Sequence, residues 1–138
     1  MPGRDIQETH MNPFPLPLHF DNAGMRNGRR CIILTKSFSA ITTLGVIKVP
    51  AGFVSDGASI PKAAWSIIGS PMDEFLEEAV IHDMLYSPLN DDYTRDEADF
   101  ILKELMWNCD VAKWKIFAFH VALRLFGRCN FKAKPRGI

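Results

Sequence analysis

The hydrophobic pattern of this chain changes once, near residue 57, and that change limits the folds open to it. Before it, β-branched residues concentrate in residues 31–35 and 44–49, which predict two antiparallel strands joined by a turn over 37–43. Breakers then end the β region: Pro50, Gly52, Asp56 and Gly57. From there onward apolar residues recur with helical spacing. The sequence therefore predicts an α+β fold, a small antiparallel sheet followed by a layer of about four helices.

The chain divides into three predicted segments. Residues 1–29 predict an extended arm, because proline alternates with apolar residues within residues 12–18. The arm docks on its own domain or on a neighbouring subunit. Residues 30–130 predict one α+β domain, and residues 131–138 predict a C-terminal tail. A domain of this size buries enough surface to fold without disulfides or a structural metal.

Each predicted helix has a recognisable start or end signal. The first spans residues 61–68, and the second opens at the N-cap residue Ser70. The third begins with a capping box at Thr94. The last covers residues 112–126 and ends at Gly127, a residue type common at helix C-termini.

Composition and charge exclude several classes of protein. Sixteen basic and sixteen acidic residues leave no net charge, so the chain has no global attraction to nucleic acid or to an anionic membrane. The three cysteines lack a Cys-x-x-Cys spacing, which argues against a disulfide framework and a zinc ribbon. No apolar run reaches the ~20 residues that span a bilayer, and the N-terminus lacks the apolar core of a secretory signal. We expect a protein made in the cytoplasm, without a transmembrane segment or a nucleic-acid partner.

A His82–Asp83 pair is the feature of the sequence that indicates chemistry. The pair interrupts a predicted helix that is apolar on nearly every side, and such helices are buried. A buried polar side chain left unpaired costs about 1–3 kcal/mol, so both residues need partners. Asp99 lies at the edge of the next helix's apolar stripe, and Arg95, one turn earlier, could pair with it or with Asp83. Packing of the two helices would bring His82 toward Asp99.

A histidine held by a carboxylate has a fixed tautomer and can act as a general base. Asp83 could then hold a cation, above all Ca²⁺, together with oxygens of residues 54–59, where Asp56 is a second candidate ligand. The alternative is a satisfied buried network that only fixes helix packing. Asp56 and Ser59 can likewise form a tight turn and a cap for the helix that begins at Pro61.

The last predicted helix is apolar around most of its circumference and basic near its ends. This pattern favours a core helix. A surface that docks on protein or on a lipid interface is the alternative, because bulky apolar residues with basic ends suit both.

Three motifs occur in order along the chain: VPAGFVSDGASIP (49–61), AVIHDMLY (79–86) and RDEAD (95–99). With them the chain resembles the phage and prophage family called domain of unknown function 1353, from about residue 49 to residue 126. The resemblance implies a phage-encoded protein and no particular activity. Four residues of these motifs are expected to support the site: Gly57, Ser59, Pro61 and Arg95.

The pattern His82-Asp83-x-x-Tyr86, followed by Asp99 on a later helix, is also similar to that of calcium-dependent secretory and parvoviral phospholipases. This likeness implies that His82 is the base, Asp83 a calcium ligand, Asp99 the residue that orients His82, and Tyr86 a support. The chain differs from those enzymes in lacking their glycine-rich calcium loop and the disulfide between the two helices.

Three functions follow as expectations. The first is a phage virion or tail component that docks on other virion proteins through the arm and the last helix. The alternative is an accessory hydrolase that uses His82 as base on phospholipid or another cell-envelope ester. The third is a phage effector that binds a host protein. The expected locations are the host cytoplasm, where the chain is synthesised, and the virion tail.

Overall fold

The computed structural model describes residues 12–26, 28–56, 65 and 75–134 of the chain. Five strands come first: β1 (Phe20–Arg26), β2 (Arg29–Leu34), β3 (Phe38–Thr42), β4 (Gly45–Val49) and β5 (Val54–Ser55). Three α-helices and a 3-10 helix follow: α1 (Leu76–Tyr86), α2 (Arg95–Asn108), α3 (Lys113–Phe126) and Gly127–Asn130. The order of elements confirms the predicted α+β class.

Fewer helices lie within the described residues than the sequence predicts. The described residues contain three α-helices rather than about four. The predicted helix over residues 61–68 falls outside the described residues except for Trp65, and so does the predicted start at Ser70. No helix in the described part of the chain is long and apolar enough to cross a membrane.

The strands form two small antiparallel sheets whose pairing differs from the prediction. In the first, β2 lies between β1 and β5, and in the second β3 pairs with β4. The predicted pairing of residues 31–35 with 44–49 is therefore wrong. Residues 38–42 alternate buried and exposed side chains as a strand does, and a tight turn joins them to β4. Such a local hairpin costs less loop-closure entropy than the longer connection.

The β3–β4 hairpin is anchored to α2. Its register ends at the pair Thr42–Gly45, where Gly45 adopts a φ of 131°, a conformation that favours glycine. In the turn between them, the backbone N–H and the hydroxyl of Thr43 donate to the Glu104 carboxylate of α2 at 2.9 and 2.8 Å. These bonds hold the second sheet against the helical layer.

Two apolar clusters form the core. The first joins both sheets to α1 and α2: Ile32, Leu34, Phe38, Ala40, Ile47, Val49, Val80, Ile81, Met84, Leu85, Tyr86, Ala98, Ile101 and Leu105. The second joins α1, α2 and α3: Phe75, Ala79, Leu102, Met106, Ile116, Phe119 and Leu123. In the described core, α1 and α2 belong to both clusters and α3 belongs to the second. Polar side chains on α1 and α2 are therefore carried into the interior.

The connection between α1 and α2 is built on Asn90. Its side-chain nitrogen donates to the carbonyl oxygens of Leu85 and Tyr93 at 2.7 and 2.8 Å. α2 then begins at the capping box predicted from the sequence. Thr94 Oγ1 accepts from the Glu97 backbone N–H at 3.2 Å, and the Glu97 carboxylate accepts from the Thr94 N–H at 2.9 Å. The bonds fix how the two helices meet.

Candidate functional site

The C-terminal half of α1 carries three polar side chains into the interior: His82, Asp83 and Tyr86. Every residue from Glu78 to Tyr86 is buried, and His82 is fully buried. This is the outcome expected of a helix that is apolar on nearly all sides. The three polar groups therefore depend on partners from other elements.

Asp99 of α2 is the partner on which the network converges. His82 Nε2 lies 2.9 Å from Asp99 Oδ1, and the Tyr86 hydroxyl donates to the same oxygen at 2.6 Å. The rings of His82 and Tyr86 lie side by side, with centroids 4.2 Å apart. On the other side, Arg124 of α3 donates to Asp99 Oδ2 at 3.0 Å. One carboxylate thus connects all three helices.

The charge of Asp99 determines the tautomer of His82. Burial by itself raises the pKa of Asp99, but hydrogen bonds with His82, Tyr86 and Arg124 outweigh it, and the pKa lies below its ordinary value. Asp99 is therefore ionised near neutral pH and only accepts hydrogen bonds. It follows that Nε2 of His82 donates to Asp99, so the nitrogen that takes up a proton in the neutral ring is Nδ1.

Tyr86 stays a hydrogen-bond donor over the whole working range of pH. Burial raises the pKa of its hydroxyl above the ordinary value of 10, and the neighbouring Asp99 charge raises it further. The carboxylate consequently keeps this donor at any pH at which the protein would function.

Arg124, rather than Arg95, provides the guanidinium that contacts Asp99. Arg124 Nη1 also pairs with the exposed Asp96 at 2.8 Å. Arg95 donates to the carbonyl oxygens of Leu123 and Arg124 near the C-terminal end of α3, at 2.5 and 3.3 Å. It therefore adds hydrogen bonds at the end of α3, where the Leu123 carbonyl also accepts from the Gly127 backbone N–H. Arg95 also hydrogen-bonds to the Tyr86 hydroxyl, and its role in supporting the site stays a prediction.

Gly127 ends α3 at the residue that the sequence predicts. Its φ of −79° is an ordinary right-handed conformation, so backbone geometry does not require glycine there. A Cβ at this position would lie 3.0 Å from the Tyr86 hydroxyl oxygen and 3.6 Å from Nη2 of Arg95. Glycine is needed because Tyr86, a member of the network, passes so close to the chain.

A cleft of about 200 Å³ opens beside the network. Asp83, next to His82 in α1, lies on it and accepts a hydrogen bond from the Ser55 hydroxyl of β5 at 2.5 Å. The cleft is lined by Phe53, Val54, Asp56, Asp83, Tyr86, Ser87, Pro88, Asn130 and Lys132. The carboxylates of Asp56 and Asp83 and the ring of Tyr86, which belongs to the network around Asp99, therefore border the same cleft.

The donor set for a cation is incomplete in the described part of the chain. Asp83 and Asp56 border one cleft, but no three His, Cys, Asp or Glu side chains among the described residues come together as a metal site would need. Calcium takes six to eight oxygen ligands. The described residues do not fit a calcium ion by themselves, and no chemical step below depends on one.

The structure brings one group of predicted catalytic residues into contact: His82, Tyr86 and Asp99. It puts both candidate cation ligands on the cleft: Asp83 and Asp56. Three predicted support residues lie outside the described residues: Gly57, Ser59 and Pro61. The catalytic and metal-binding roles of these residues stay predictions.

Sequence reasoning misses two partners, Ser55 and Arg124. Ser55 directly precedes Asp56, which is the residue predicted as a ligand in the candidate cation loop. Arg124 interrupts an otherwise apolar run of α3, as His82 and Asp83 interrupt α1. The same signal, a strong polar group within an apolar helix, would have pointed to Arg124.

Comparison with known proteins adds a family. A search of curated proteins finds no match, and a search of solved structures finds none. A protein-family model matches residues 33–123 of the 138. This span contains β3, β4, β5, all of α1 and α2, and most of α3. The network around Asp99 falls inside this span except for Arg124. The chain belongs to the family described as a protein of unknown function (DUF1353).

Proposed function

We propose that this chain is a phage-encoded accessory hydrolase that cleaves an ester of the host cell envelope, with His82 as its general base. The observation that carries the proposal is the contact of 2.9 Å between His82 Nε2 and Asp99 Oδ1, reinforced by Tyr86 on the same oxygen. A histidine oriented in this way by an ionised carboxylate is a recurrent arrangement in hydrolytic sites.

The chemistry follows from the tautomer. With Nε2 donating to Asp99, His82 removes a proton from a water molecule at Nδ1 while the water oxygen attacks the ester carbonyl carbon. The bond to the leaving alcohol then breaks, and the alkoxide takes the proton back from Nδ1. The products are a carboxylic acid and an alcohol, and His82 returns to its neutral state. Asp99 stabilises the positive ring between the two proton transfers.

The test is hydrolysis of mixed phospholipid vesicles by the purified full-length chain, with fatty-acid release as the readout. We expect His82→Asn to lower the rate at least 100-fold, because general-base catalysis contributes about 10²–10⁴-fold. Parallel reactions with calcium and with EDTA determine whether a cation takes part.

The matched control is His19→Asn, which changes an exposed histidine on the N-terminal segment and should leave the rate unchanged. Circular dichroism and thermal unfolding show whether each variant is folded at the assay temperature. Tyr86→Phe provides a second variant, since it removes one hydrogen bond to Asp99 and keeps the ring. A folded His82→Asn protein with the wild-type rate would contradict the proposal.

A second candidate function is a non-catalytic component of the virion or tail. The complete burial of His82 favours it, because a histidine without solvent exposure is also what a packing network would contain. This function predicts no ester hydrolysis by the folded wild-type chain. It also predicts that the chain occurs in purified virions at fixed stoichiometry, and absence from virions would count against it.

A further inference from the structure

The outward side of α3 is apolar. The inward side contributes Ile116, Phe119 and Leu123 to the second core cluster. On the opposite side, exposed apolar residues follow one another three or four positions apart and form a continuous outer stripe: Trp114, Phe117, Val121 and Leu125. Phe117 and Leu125 are 69% and 68% exposed. A contiguous stripe of bulky apolar side chains on the surface indicates a binding face.

The surroundings of the outer stripe are positively charged. Residues 111–138 contain seven of the chain's sixteen Lys and Arg residues and no Asp or Glu, an asymmetry that the zero net charge hides. Lys113, in the first turn of α3, and Arg128, just past its end, are both exposed. By helical geometry, Lys113 and Arg124 flank the stripe on one side and Lys115 flanks it on the other.

The charge of Arg124 is already matched within the domain. Its guanidinium is held by Asp96 at 2.8 Å and Asp99 at 3.0 Å. Lys113 lies over the Trp107 ring, 5.1 Å from its centroid, which leaves its positive charge uncancelled by any acid in that contact. The cations that can meet an external partner are therefore those at the two ends of the helix.

We propose that α3 docks on the surface of a bilayer that contains anionic lipid. The outer stripe enters the boundary between headgroups and acyl chains, while Lys113 and Arg128 face lipid phosphates. An interfacial helix combines bulky apolar residues on one face with basic residues that reach the headgroups from its flanks. α3 lies in the plane of the bilayer, because its inward side is bound to the rest of the domain.

Charge also argues against a second copy of the chain as the occupant. If two α3 helices packed through their outer stripes, the flanking Lys and Arg residues of one copy would meet those of the other. The sequence from residue 111 onward offers no acid to pair with them. Like charges along such a helix pair are destabilising. Anionic lipid has the complementary charge.

Vesicle flotation of the full-length chain tests the proposal. We expect the wild type to float with vesicles of equal parts phosphatidylglycerol and phosphatidylcholine, and to bind pure phosphatidylcholine at least tenfold more weakly. Phe117→Ser with Leu125→Ser should weaken binding to the anionic vesicles at least tenfold. Lys113→Gln and Arg128→Gln should each weaken binding to the anionic vesicles about fivefold, and high salt should also weaken it.

The control is the pair Leu16→Ser and Leu89→Ser, which removes side chains of similar exposure, 69% and 58%, from outside α3. It should float like the wild type. Failure of the wild type to float, or equal flotation of the Phe117/Leu125 variant, would overturn the proposal. So would a wild-type dimer in light scattering that the same variant abolishes, because a second copy would then cover the stripe.

This proposal does not rest on the proposed hydrolysis. Flotation is measured without turnover, and none of the substituted residues belongs to the network around Asp99. A chain that floats and releases no fatty acid would retain the membrane face and lose the enzymatic role. A chain that hydrolyses dispersed ester and does not float would retain the enzymatic role alone.

Discussion

Asp99 and Glu78 are two carboxyl groups with nearly the same burial, 1% and 5% exposed, and pKa values that shift in opposite directions. The pKa of Asp99 lies below its ordinary value. Burial raises the pKa of Glu78 to about 7, and the like charge of Glu77 adds to the shift. Asp99 has an imidazole, a hydroxyl and a guanidinium around it, whereas Glu78 has the thiol of Cys109. Partners, and not depth, decide whether a buried acid is charged.

The two acids therefore contribute to stability at opposite ends of the pH scale. The folded pKa of Asp99 is lowered, so its contribution is present above the ordinary pKa of 3.8 and is lost as pH falls through the folded value. The folded pKa of Glu78 is raised, so its contribution is present below 4.5 and is lost as pH rises through about 7. The surroundings of Asp99 stabilise a charged carboxylate, whereas those of Glu78 favour a neutral carboxyl group.

Asp99→Asn should have the largest effect. It leaves the buried donors of His82 and Tyr86 without an anion, and we expect a loss of about 3–5 kcal/mol in the free energy of unfolding at neutral pH. Urea denaturation measures it. The difference from wild type should shrink at pH values below the folded pKa of Asp99, where the native carboxyl is neutral as well.

Asp96→Asn is the matched control, because Asp96 contacts the same nitrogen of Arg124 and is 80% exposed. An exposed ion pair of this kind contributes less than about 1 kcal/mol. Equal losses for the two substitutions would show that Arg124, rather than the buried network, sets the stability of this region.

Glu78→Gln should produce the next largest change, and only in the pH dependence. A pKa of about 7 in place of 4.5 corresponds to about 3 kcal/mol of stability lost by the wild type between pH 4.5 and pH 8. The glutamine variant cannot ionise, so its advantage over wild type should grow by about that amount across the same range. Glu77→Gln, one residue away, should show a much smaller change. If the stability difference between Glu78→Gln and the wild type did not change with pH, the raised pKa assigned to Glu78 would be contradicted.

Gly127→Ala should have a smaller effect than the changes at Asp99 and Glu78, about 1–2 kcal/mol of destabilisation. The backbone there accepts alanine, so the loss would come from the Cβ pressing on the Tyr86 hydroxyl at 3.0 Å. The same substitution in a Tyr86→Phe background should cost measurably less, and this double-mutant cycle isolates the contact. Additive effects would mean that the glycine is required for another reason.

Elements with strong local signals follow directly from the sequence, and strand pairing does so only in part. The capping box at Thr94 is specified by residues close together in the chain, whereas the glycine at the end of α3 reflects the tertiary contact with Tyr86. Pairing of β2 depends on residues 20–26, whose proline-rich neighbourhood indicates an arm, and on the two-residue strand β5. β1 and β2 meet across residues 27–28, where the sequence Asn-Gly is a strong hairpin signal, so this pairing could have been predicted. The pairing of β2 with β5 is set by packing between distant segments, which periodicity does not report.

The contact between His82 and Asp99 could be predicted because each residue is an exception within its own apolar helix face. The same signal singles out Arg124, but its contact with Asp99 could not be predicted, since it depends on how α3 lies against α2, and that packing is decided by the shapes of many side chains. The position of Asp83 on a cleft depends likewise on β5, whose Ser55 reaches this helix residue from the sheet formed by β1, β2 and β5. Spacing finds the polar residues, and tertiary packing decides which of them meet.

The arrangement of the two core clusters has a consequence for local opening. α1 and α2 cannot detach from the domain without breaking both clusters, so their amide hydrogens should exchange with solvent only through global unfolding. α3 is attached through the second cluster and through Arg124 and Arg95, and it can separate as a unit while both sheets stay packed on α1 and α2. Its amides should therefore exchange through a sub-global opening of lower free energy, which marks α3 as the least cooperative of the three helices.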